Sequence, residues 1–295
     1  MSGALAALLP DGRRLHLQHG PIDLIIEAFG APEEIKLAYQ QAISRFDTVL
    51  DELVTELDIL RQATTASVRG AVAKRMLAAI EAHAETFVTP MAAVAGAVAD
   101  EILSALVSGR ILERAYVNNG GDIALHLAPG EVFDVGMALE YQPADLAGRL
   151  QIAADDPIRG IATSGHSGRS LSLGIADSVT VLASSAAAAD AAATLIANAV
   201  DLPDHPAISR QPACELDPDS DLRARLVTTG VGALSAADIE TALTRGQRSA
   251  LDMKYRGLIA AASLSLQDHV LVVGDDSHPL TTSKKLSRQK EVVHA

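Results

Sequence analysis

Residues 115–127 have the sequence AYVNNGGDIALHL, with a strand-like run on each side of a pair of glycines. Apolar residues recur at every second position, at 115 and 117 and again at 123, 125 and 127, which is typical of strands with one buried face. An Asn-Gly step supplies the positive-φ residues of a two-residue hairpin turn. The sequence therefore predicts a β-hairpin with its tip at 118–122. The turn accounts for these residues on its own; the other interpretation is a glycine-paved floor where backbone amides meet a ligand.

Strand patterns continue through the middle of the chain, and helical patterns flank them. A start signal at 30–34 precedes apolar residues at helical spacing up to Leu60, and Ser184 and Ser185 precede an alanine-rich helix at 186–200. Further strands are predicted at 15–18, 23–28, 131–139, 150–153, 160–163, 177–183 and 269–273, and further helices at 67–83, 91–107 and 236–249. The proline-containing stretch 201–221 is expected to be irregular.

This order of elements favours an α+β fold with a mixed or antiparallel sheet, because it lacks the strict β-α-β alternation of a doubly wound sheet. We expect a single domain over residues 1–274, followed by a polar C-terminal tail at 275–295. The chain has 295 residues, of which 48% are hydrophobic and none is tryptophan, so its core is expected to be aliphatic.

Composition also restricts the partners. The formal net charge is −13, from 24 Lys and Arg against 37 Asp and Glu, which argues against nucleic acid because a duplex-binding surface needs a basic footprint. No stretch reaches the ~18 uninterrupted apolar residues of a membrane helix, and residues 1–10 do not resemble a signal peptide. A cytoplasmic protein is predicted, and a homodimer is a further expectation. Cys214 is interpreted as an incidental loop thiol, with a nucleophile as the alternative.

Residues 162–170 form a second notable segment, ATSGHSGRS, directly after a predicted strand. Its hydroxyls, glycines and Arg169 are typical of a loop that binds anions, although a polar surface loop explains them equally well. A serine-hydrolase elbow is excluded by spacing, because Gly165 precedes Ser167 correctly but the second glycine falls at 168.

Asp190 and Thr194 form a third candidate. They are four residues apart in the alanine-rich helix and share one face. An acid buried there would need a partner, and a carboxylate with a hydroxyl is a pair of oxygen ligands suited to Mg²⁺. The alternative is that both side chains face solvent.

Taken in order, these segments resemble the ApbE-like superfamily, whose founding members are FAD:protein FMN transferases. Residues 117–123 resemble its "VNxGGDI" motif and residues 163–165 its "TSG" motif. Residues 179–181, followed by 189–194, resemble its "VTV…ADAxAT" motif, and residues 96–100 are similar to the end of "GIAKGYAVD". Residues 20–23 and 168–172 resemble an uncharacterised side branch of this superfamily more than they resemble the transferases themselves.

The resemblance implies specific roles for these residues. It implies a T-fold-related architecture and a Mg²⁺ site made by Asp190, Thr194 and a backbone carbonyl near Val94. The residues implied to line a flavin nucleotide such as FAD, or to flank its pyrophosphate, are Asn119, Gly120, Gly121, Asp122, Thr163, Ser164 and Gly165.

Two departures from the transferase pattern affect the expected chemistry. The transferase lysine falls at Ala95, and the segment that replaces "HIIDPxTG" has no histidine or proline. Arg169 is the candidate replacement cation and Asp177 the candidate base. We expect a Mg²⁺-dependent enzyme acting on a flavin nucleotide, by FMN transfer from FAD or by hydrolysis of FAD. The alternatives are a binding protein that holds a flavin, another nucleotide or a pterin-like ligand without turnover, and a subunit with a vestigial pocket.

Overall fold

The computed structural model describes residues 3–63, 66–138, 146–168, 170–274 and 281–282. Its strands are β1 (Leu5–Leu8), β2 (Leu15–His19), β3 (Ile22–Gly30), β4 (Leu112–Asn119), β5 (Asp122–Leu127), β6 (Val132–Ala138), β7 (Leu146–Ala153), β8 (Gly160–Ser164), β9 (Ser178–Ala183), β10 (Ile208–Pro212), β11 (Leu226–Val231), β12 (Ala261–Leu266), β13 (His269–Val273) and β14 (Thr281–Thr282). Its α-helices are α1 (Pro32–Thr55), α2 (Leu57–Leu60), α3 (Ala71–Glu81), α4 (Val94–Val107), α5 (Ala186–Ala199), α6 (Ala213–Leu216) and α7 (Ala236–Tyr255), and a 3-10 turn at Pro90–Ala93 leads into α4.

Nine strands form one sheet in the order β1-β2-β3-β4-β5-β8-β9-β12-β13, and every neighbouring pair is antiparallel. Smaller sheets join β10 to β11 and β14 to β7 and β6. This arrangement confirms the predicted α+β fold with an antiparallel sheet. The predicted hairpins at 15–28 and 115–127 are both present as β2–β3 and β4–β5.

Helices cover one face of the large sheet and the β6–β7 hairpin covers part of the other. α1 and α4 pack over β2 to β5, with Phe46 of α1 and Ile26 of β3 fully buried between them. α5 and α7 pack over β9 and β12 in a second apolar cluster. Phe133 and Ile152 of β6 and β7 close the opposite face against Leu182 of β9. The core is therefore aliphatic, as the composition predicts.

The start of α5 is wedged between α4 and β8, and two glycines make this possible. A Cβ atom on Gly96 would lie 2.2 Å from the Ala186 carbonyl oxygen, and one on Gly160 would lie 2.0 Å from the Ser185 carbonyl carbon. Only glycine fits where backbone meets backbone at these distances. These two backbone contacts fix the position of the start of α5 relative to α4 and β8, and therefore the positions of the side chains that follow on α5.

Several sequence expectations are corrected. The stretch 201–221 is not wholly irregular, because β10 lies within it and pairs with β11, which is a further strand that the pattern did not predict. Cys214 lies in the short helix α6 rather than in a loop, and it is exposed. Most of the predicted tail lies outside the described residues; of it, Thr281 and Thr282 pair with β7.

One segment is apolar enough to compare with a membrane helix. By length and composition, Pro90–Val107 could cross a membrane, with a mean hydropathy of 1.5, although Asp100 and Glu101 interrupt its apolar residues. Half of the segment is buried within the protein, and α4 packs against α1, α3 and α5. This packing is that of a core helix.

Candidate functional site

The candidate site begins at Asp190, in the second turn of α5. The Ser185 side chain caps this helix by accepting a hydrogen bond from the Ala188 N–H. The Asp190 Oδ2 atom accepts a hydrogen bond of 3.0 Å from the Gly96 N–H in the first turn of α4. Asp190 is half-buried as a residue, and its carboxylate lies against the first turn of α4.

Asp122 reaches the same place from the sheet. A two-residue turn joins β4 to β5, and in it Gly120 and Gly121 have φ angles of 64° and 117°, which favour glycine. The Asn118 side chain stabilises the turn by accepting the Gly121 N–H at 2.8 Å. Asp122 follows directly, and its Oδ1 atom accepts a hydrogen bond of 3.2 Å from the Thr163 N–H of β8.

Asn119 ties the hairpin to α4. Its Nδ2 atom donates to the Ala95 carbonyl oxygen at 3.0 Å, while the next residue, Gly96, donates to Asp190. The first turn of α4, the β4–β5 turn, β8 and α5 therefore converge. This convergence brings together residues from all four motifs that carry the resemblance described above.

The surroundings of the two carboxyl groups disfavour their charged forms. Burial raises the pKa of Asp122 to about 7. Burial, and after it the repulsion of Asp122, raises the pKa of Asp190 well above its usual range, although the Ala95 and Gly96 N–H groups act in the opposite direction. Among the described residues, no Lys or Arg forms an ion pair with either carboxylate. The pair thus lacks a positive partner within this part of the chain.

Asp100 is a third carboxylate nearby, with a different role. Its two oxygens accept hydrogen bonds from the Ala186 and Ala187 N–H groups at 3.0 and 2.9 Å. Burial raises its pKa, and the N–H groups at the start of α5 favour the charged form. Asp100 thereby fastens α5 onto α4. From the sequence, Asp100 was named only as the last residue of the motif at 96–100, and its role in holding α5 was not predicted. The available signal was its position four residues after Gly96.

The Thr163–Gly165 segment is closely packed at the end of β8. The Thr163 hydroxyl lies 2.9 Å from the Thr180 hydroxyl of β9, and a Cβ on Gly165 would lie 2.2 Å from the Asp177 carbonyl oxygen. Ser164 pairs with Val179 in the sheet. The Thr163 backbone therefore contacts the carboxylate pair through Asp122, and Gly165 allows the chain to turn against the neighbouring strand.

Asp177, the candidate base, is already engaged elsewhere. Its Oδ2 atom accepts a hydrogen bond of 2.6 Å from the Gln267 N–H in the β12–β13 turn, and its Oδ1 atom lies 3.8 Å from His166 Nδ1. This turn has positive φ angles at Gln267 and Asp268, so Asp177 helps to stabilise an unusual backbone conformation. Arg169, the candidate replacement cation, lies outside the described residues.

The oxygen atoms around Asp190 suit a hard divalent cation. Thr194 lies one turn after Asp190 on α5, and both side chains are partly exposed. Val94 is the first residue of α4, two positions before Gly96. No group of three or more His, Cys, Asp or Glu side chains suited to a metal occurs in the ranges the structure describes. A cation here would therefore depend on Asp122, Asp190, a hydroxyl and a carbonyl, with water or phosphate completing the shell, as Mg²⁺ often requires.

Comparison with known families identifies the chain. A model of the family described as "AbpE bacteria" matches residues 6–275. The chain belongs to this family. The match extends well beyond residues 91–200, where the motifs lie, and it confirms the resemblance to the ApbE-like superfamily.

Curated relatives include UPF0280 proteins. The chain is 39% identical to one from Methanocaldococcus jannaschii over 113 residues, which is 38% of this chain and 45% of the relative. It is 42% identical to one from Methanococcus vannielii over 123 residues, 40% of this chain and 48% of the relative. For Methanothrix thermoacetophila the identity is 43% over 115 residues, 38% of this chain and 46% of the relative. The chain spans about half the length of the curated relatives it matches.

Two solved structures are also similar. One is the ApbE protein of Thermotoga maritima, with a TM-score of 0.38 and 14% identity, covering 85% of this chain and 78% of that one. The other is a mutant of the flavin transferase ApbE from Vibrio cholerae, with a TM-score of 0.42 and 14% identity, covering 94% of this chain and 98% of that one.

Proposed function

We propose that this protein is a cytoplasmic, Mg²⁺-dependent enzyme that cleaves the pyrophosphate of a flavin nucleotide such as FAD. The acceptor would be either water or a protein hydroxyl. The observation that carries the proposal is the pair of carboxylates, Asp122 and Asp190, with raised pKa values and no positive partner among the described residues. A divalent cation bound between them would displace their protons and stabilise both carboxylates, because a bound cation is the largest local charge in such a site.

The residues around the pair would divide the work of binding. Asp190, Asp122, the Thr194 hydroxyl and a carbonyl near Val94 would hold Mg²⁺, which when bound neutralises phosphate oxygens and polarises the bond to be cut. The flavin nucleotide would lie along the turn formed by Gly120 and Gly121. This assignment rests on the resemblance of residues 117–123 to the "VNxGGDI" motif.

The remaining residues would act on the phosphates and the attacking group. Thr163, Ser164 and Gly165 would flank the pyrophosphate, and Arg169 would contact a phosphate oxygen. Asp177 would take the proton of the attacking hydroxyl or water through Oδ1, because Oδ2 is occupied by the Gln267 N–H. A carboxylate can take a proton through one oxygen if that oxygen lies within hydrogen-bond distance of the attacking hydroxyl or water.

The first test is thermal unfolding of the metal-stripped full chain with FAD, FMN or ADP, each with and without Mg²⁺. A ligand at 100 times its Kd adds about 2.7 kcal/mol to the free energy of unfolding, which corresponds to a Tm increase of roughly 4 °C for a chain of this size. We expect the increase with FAD to require Mg²⁺. Release of FMN or AMP from FAD would then be measured by chromatography.

Asp190→Asn is the decisive variant, since it keeps the size of the side chain and removes its charge. We expect it to abolish the Mg²⁺-dependent Tm increase and FAD turnover while preserving the fold. Asp47→Asn is the matched control, because Asp47 is exposed on α1 and its replacement changes the net charge equally. Equal Mg²⁺ dependence in both variants would refute the metal assignment.

Thr194→Val tests the second ligand on the same helix. The change removes the hydroxyl and keeps the branched shape, so we expect Mg²⁺ affinity to fall about tenfold, as for loss of one charge-assisted contact. An unchanged Mg²⁺ dependence would remove Thr194 from the ligand set.

The second candidate function is binding of the nucleotide without turnover. Ala95 favours it, because this position carries a lysine in the transferase motif and the described residues place no cation beside the carboxylate pair. A Mg²⁺-dependent Tm increase with FAD, without any release of FMN or AMP, would support this function over the enzymatic one.

A further inference from the structure

A cleft on another part of the molecule is rich in arginine. It has a volume of about 570 Å³ and is lined by Arg61, Phe87, Thr89, Asp221, Arg223 and Arg225, among other residues. Three arginines against one aspartate give its wall a positive charge, in a chain whose net charge is −13. A local reversal of sign of this kind attracts anions into the cleft.

The guanidinium groups of the cleft are not neutralised by the protein. Arg61 lies 3.9 Å from Asp219, a long contact with a carboxylate whose side chain is 80% exposed, and such surface pairs contribute little. In the part of the chain that the structure describes, neither Arg223 nor Arg225 pairs with a carboxylate. Asp221 is occupied instead, because the buried Thr89 hydroxyl donates a hydrogen bond to it.

Arg225 is held in a defined orientation. Its Cζ atom lies 3.3 Å from the centroid of the Phe87 ring, so the planar guanidinium stacks on the ring face. Stacking leaves the N–H edge of a guanidinium free, and that edge matches two oxygens of a phosphate or carboxylate. The stacked Arg225 is therefore arranged to bind an anion at small entropic cost.

The loop that carries these arginines is shaped by its own hydrogen bonds. Arg223 has a φ of 53°, which is uncommon for a residue other than glycine. Its carbonyl accepts the Cys214 N–H at 2.8 Å, and the Arg225 carbonyl accepts the Ala213 N–H at 2.9 Å. These bonds from α6 hold the chain in this conformation and place two arginines on the same cavity wall.

We propose that this cleft binds the phosphate or pyrophosphate group of a small molecule, at a site separate from the Asp122–Asp190 pair. The cavity volume is within the range of pockets for small ligands. Phosphate oxygens would accept hydrogen bonds from Arg223 and Arg225, with Arg61 at the edge of the cleft. Positive charge and a stacked guanidinium, on exposed arginines that line an open cleft, favour this ligand class over an apolar one.

The test is isothermal titration calorimetry of the full chain with inorganic pyrophosphate and with ADP, in EDTA and at physiological salt. It uses the Asp190→Asn background, so that loss of the proposed metal site does not affect the outcome. Arg225→Gln and Arg223→Gln are compared with Arg248→Gln, which removes the same charge from the exposed face of α7. Circular dichroism and the Tm of each variant check that the fold is retained.

We expect pyrophosphate to bind the parent chain and Arg248→Gln equally, and each cleft variant at least tenfold more weakly. Arg225→Lys should also lose affinity, since lysine keeps the charge but lacks the planar fork. Absence of binding to the parent chain, or equal binding by all variants, would overturn the proposal. Binding of an acidic peptide but not of pyrophosphate or ADP would also overturn it, and would indicate a protein partner.

Discussion

Replacing Asp122 by asparagine tests the electrostatics of the carboxylate pair directly. Asparagine has nearly the same shape, and its side-chain oxygen can still accept the Thr163 N–H. Burial raises the pKa of Asp122 from 3.8 to about 7, and this difference corresponds to about 4 kcal/mol of the free energy of unfolding. The variant lacks this cost because its side chain is neutral at every pH.

The direction in which stability changes with pH follows from the proton that Asp122 takes up on folding. Between about pH 4 and pH 7 the folded protein holds a proton on Asp122 that the unfolded chain has released, so the stability of the parent protein falls as pH rises. Asp122→Asn removes this decline and also weakens the repulsion on Asp190. We therefore expect the variant to gain about 4 kcal/mol relative to the parent between pH 4 and pH 8.

Urea unfolding of metal-stripped parent and variant across this pH range measures the difference. Asp238→Asn provides a control of opposite sign. Hydrogen bonds from Ser235 lower the pKa of Asp238, so its carboxylate stabilises the fold at every pH above its unfolded pKa, and Asp238→Asn should be less stable than the parent by a constant amount from pH 4 to pH 8. A difference between Asp122→Asn and parent that stays constant from pH 4 to pH 8 would refute the account of a strained carboxylate pair.

Two further predictions concern packing and capping. Gly96→Ala should lower the free energy of unfolding by about 2 kcal/mol or more. The added Cβ would lie 2.2 Å from the Ala186 backbone oxygen, and this overpacking outweighs the gain in helix propensity. Gly3→Ala, with open space around it, should be neutral in the same urea titration. Ser235→Ala removes the capping box that it forms with Asp238 at the start of α7 and should cost about 1 kcal/mol by urea unfolding, and an unchanged midpoint would contradict that role.

Much of the fold was predictable because its elements carry local signals. The β4–β5 hairpin has its glycine pair at the turn, and α1 has a proline start and helical spacing of apolar residues. β10 and β12 carry weaker signals. β10 has one apolar residue before a Ser-Arg-Gln-Pro run, and β12 has only a short Ser-Leu-Ser-Leu alternation after two alanines. Both are strands because neighbouring strands pair with them, which is information from elsewhere in the chain.

The residue types of the candidate site were predictable from the sequence, but the close approach of Asp122 and Asp190 was not. From motifs far apart in the chain, Asp190 was expected in a metal site and Asp122 beside a nucleotide. The structure places both carboxyls together, where Asp122 raises the pKa of Asp190. No periodicity encodes this approach, since it depends on how α5 sits above the β4–β5 turn. The backbone donors Ala95 and Gly96 were also missed, because any residue type can supply an N–H group.

The alanines of α5 have a consequence for the space beside Asp190. Nine of the fourteen residues in this helix are alanine, a side chain with no rotamers to lose on burial. Side chains without rotamers cannot rearrange to make room, and the helix start rests on the backbone of its neighbours. A larger molecule beside Asp190 could therefore be accommodated only if the whole helix shifted, so α5 would limit the size of any ligand bound there.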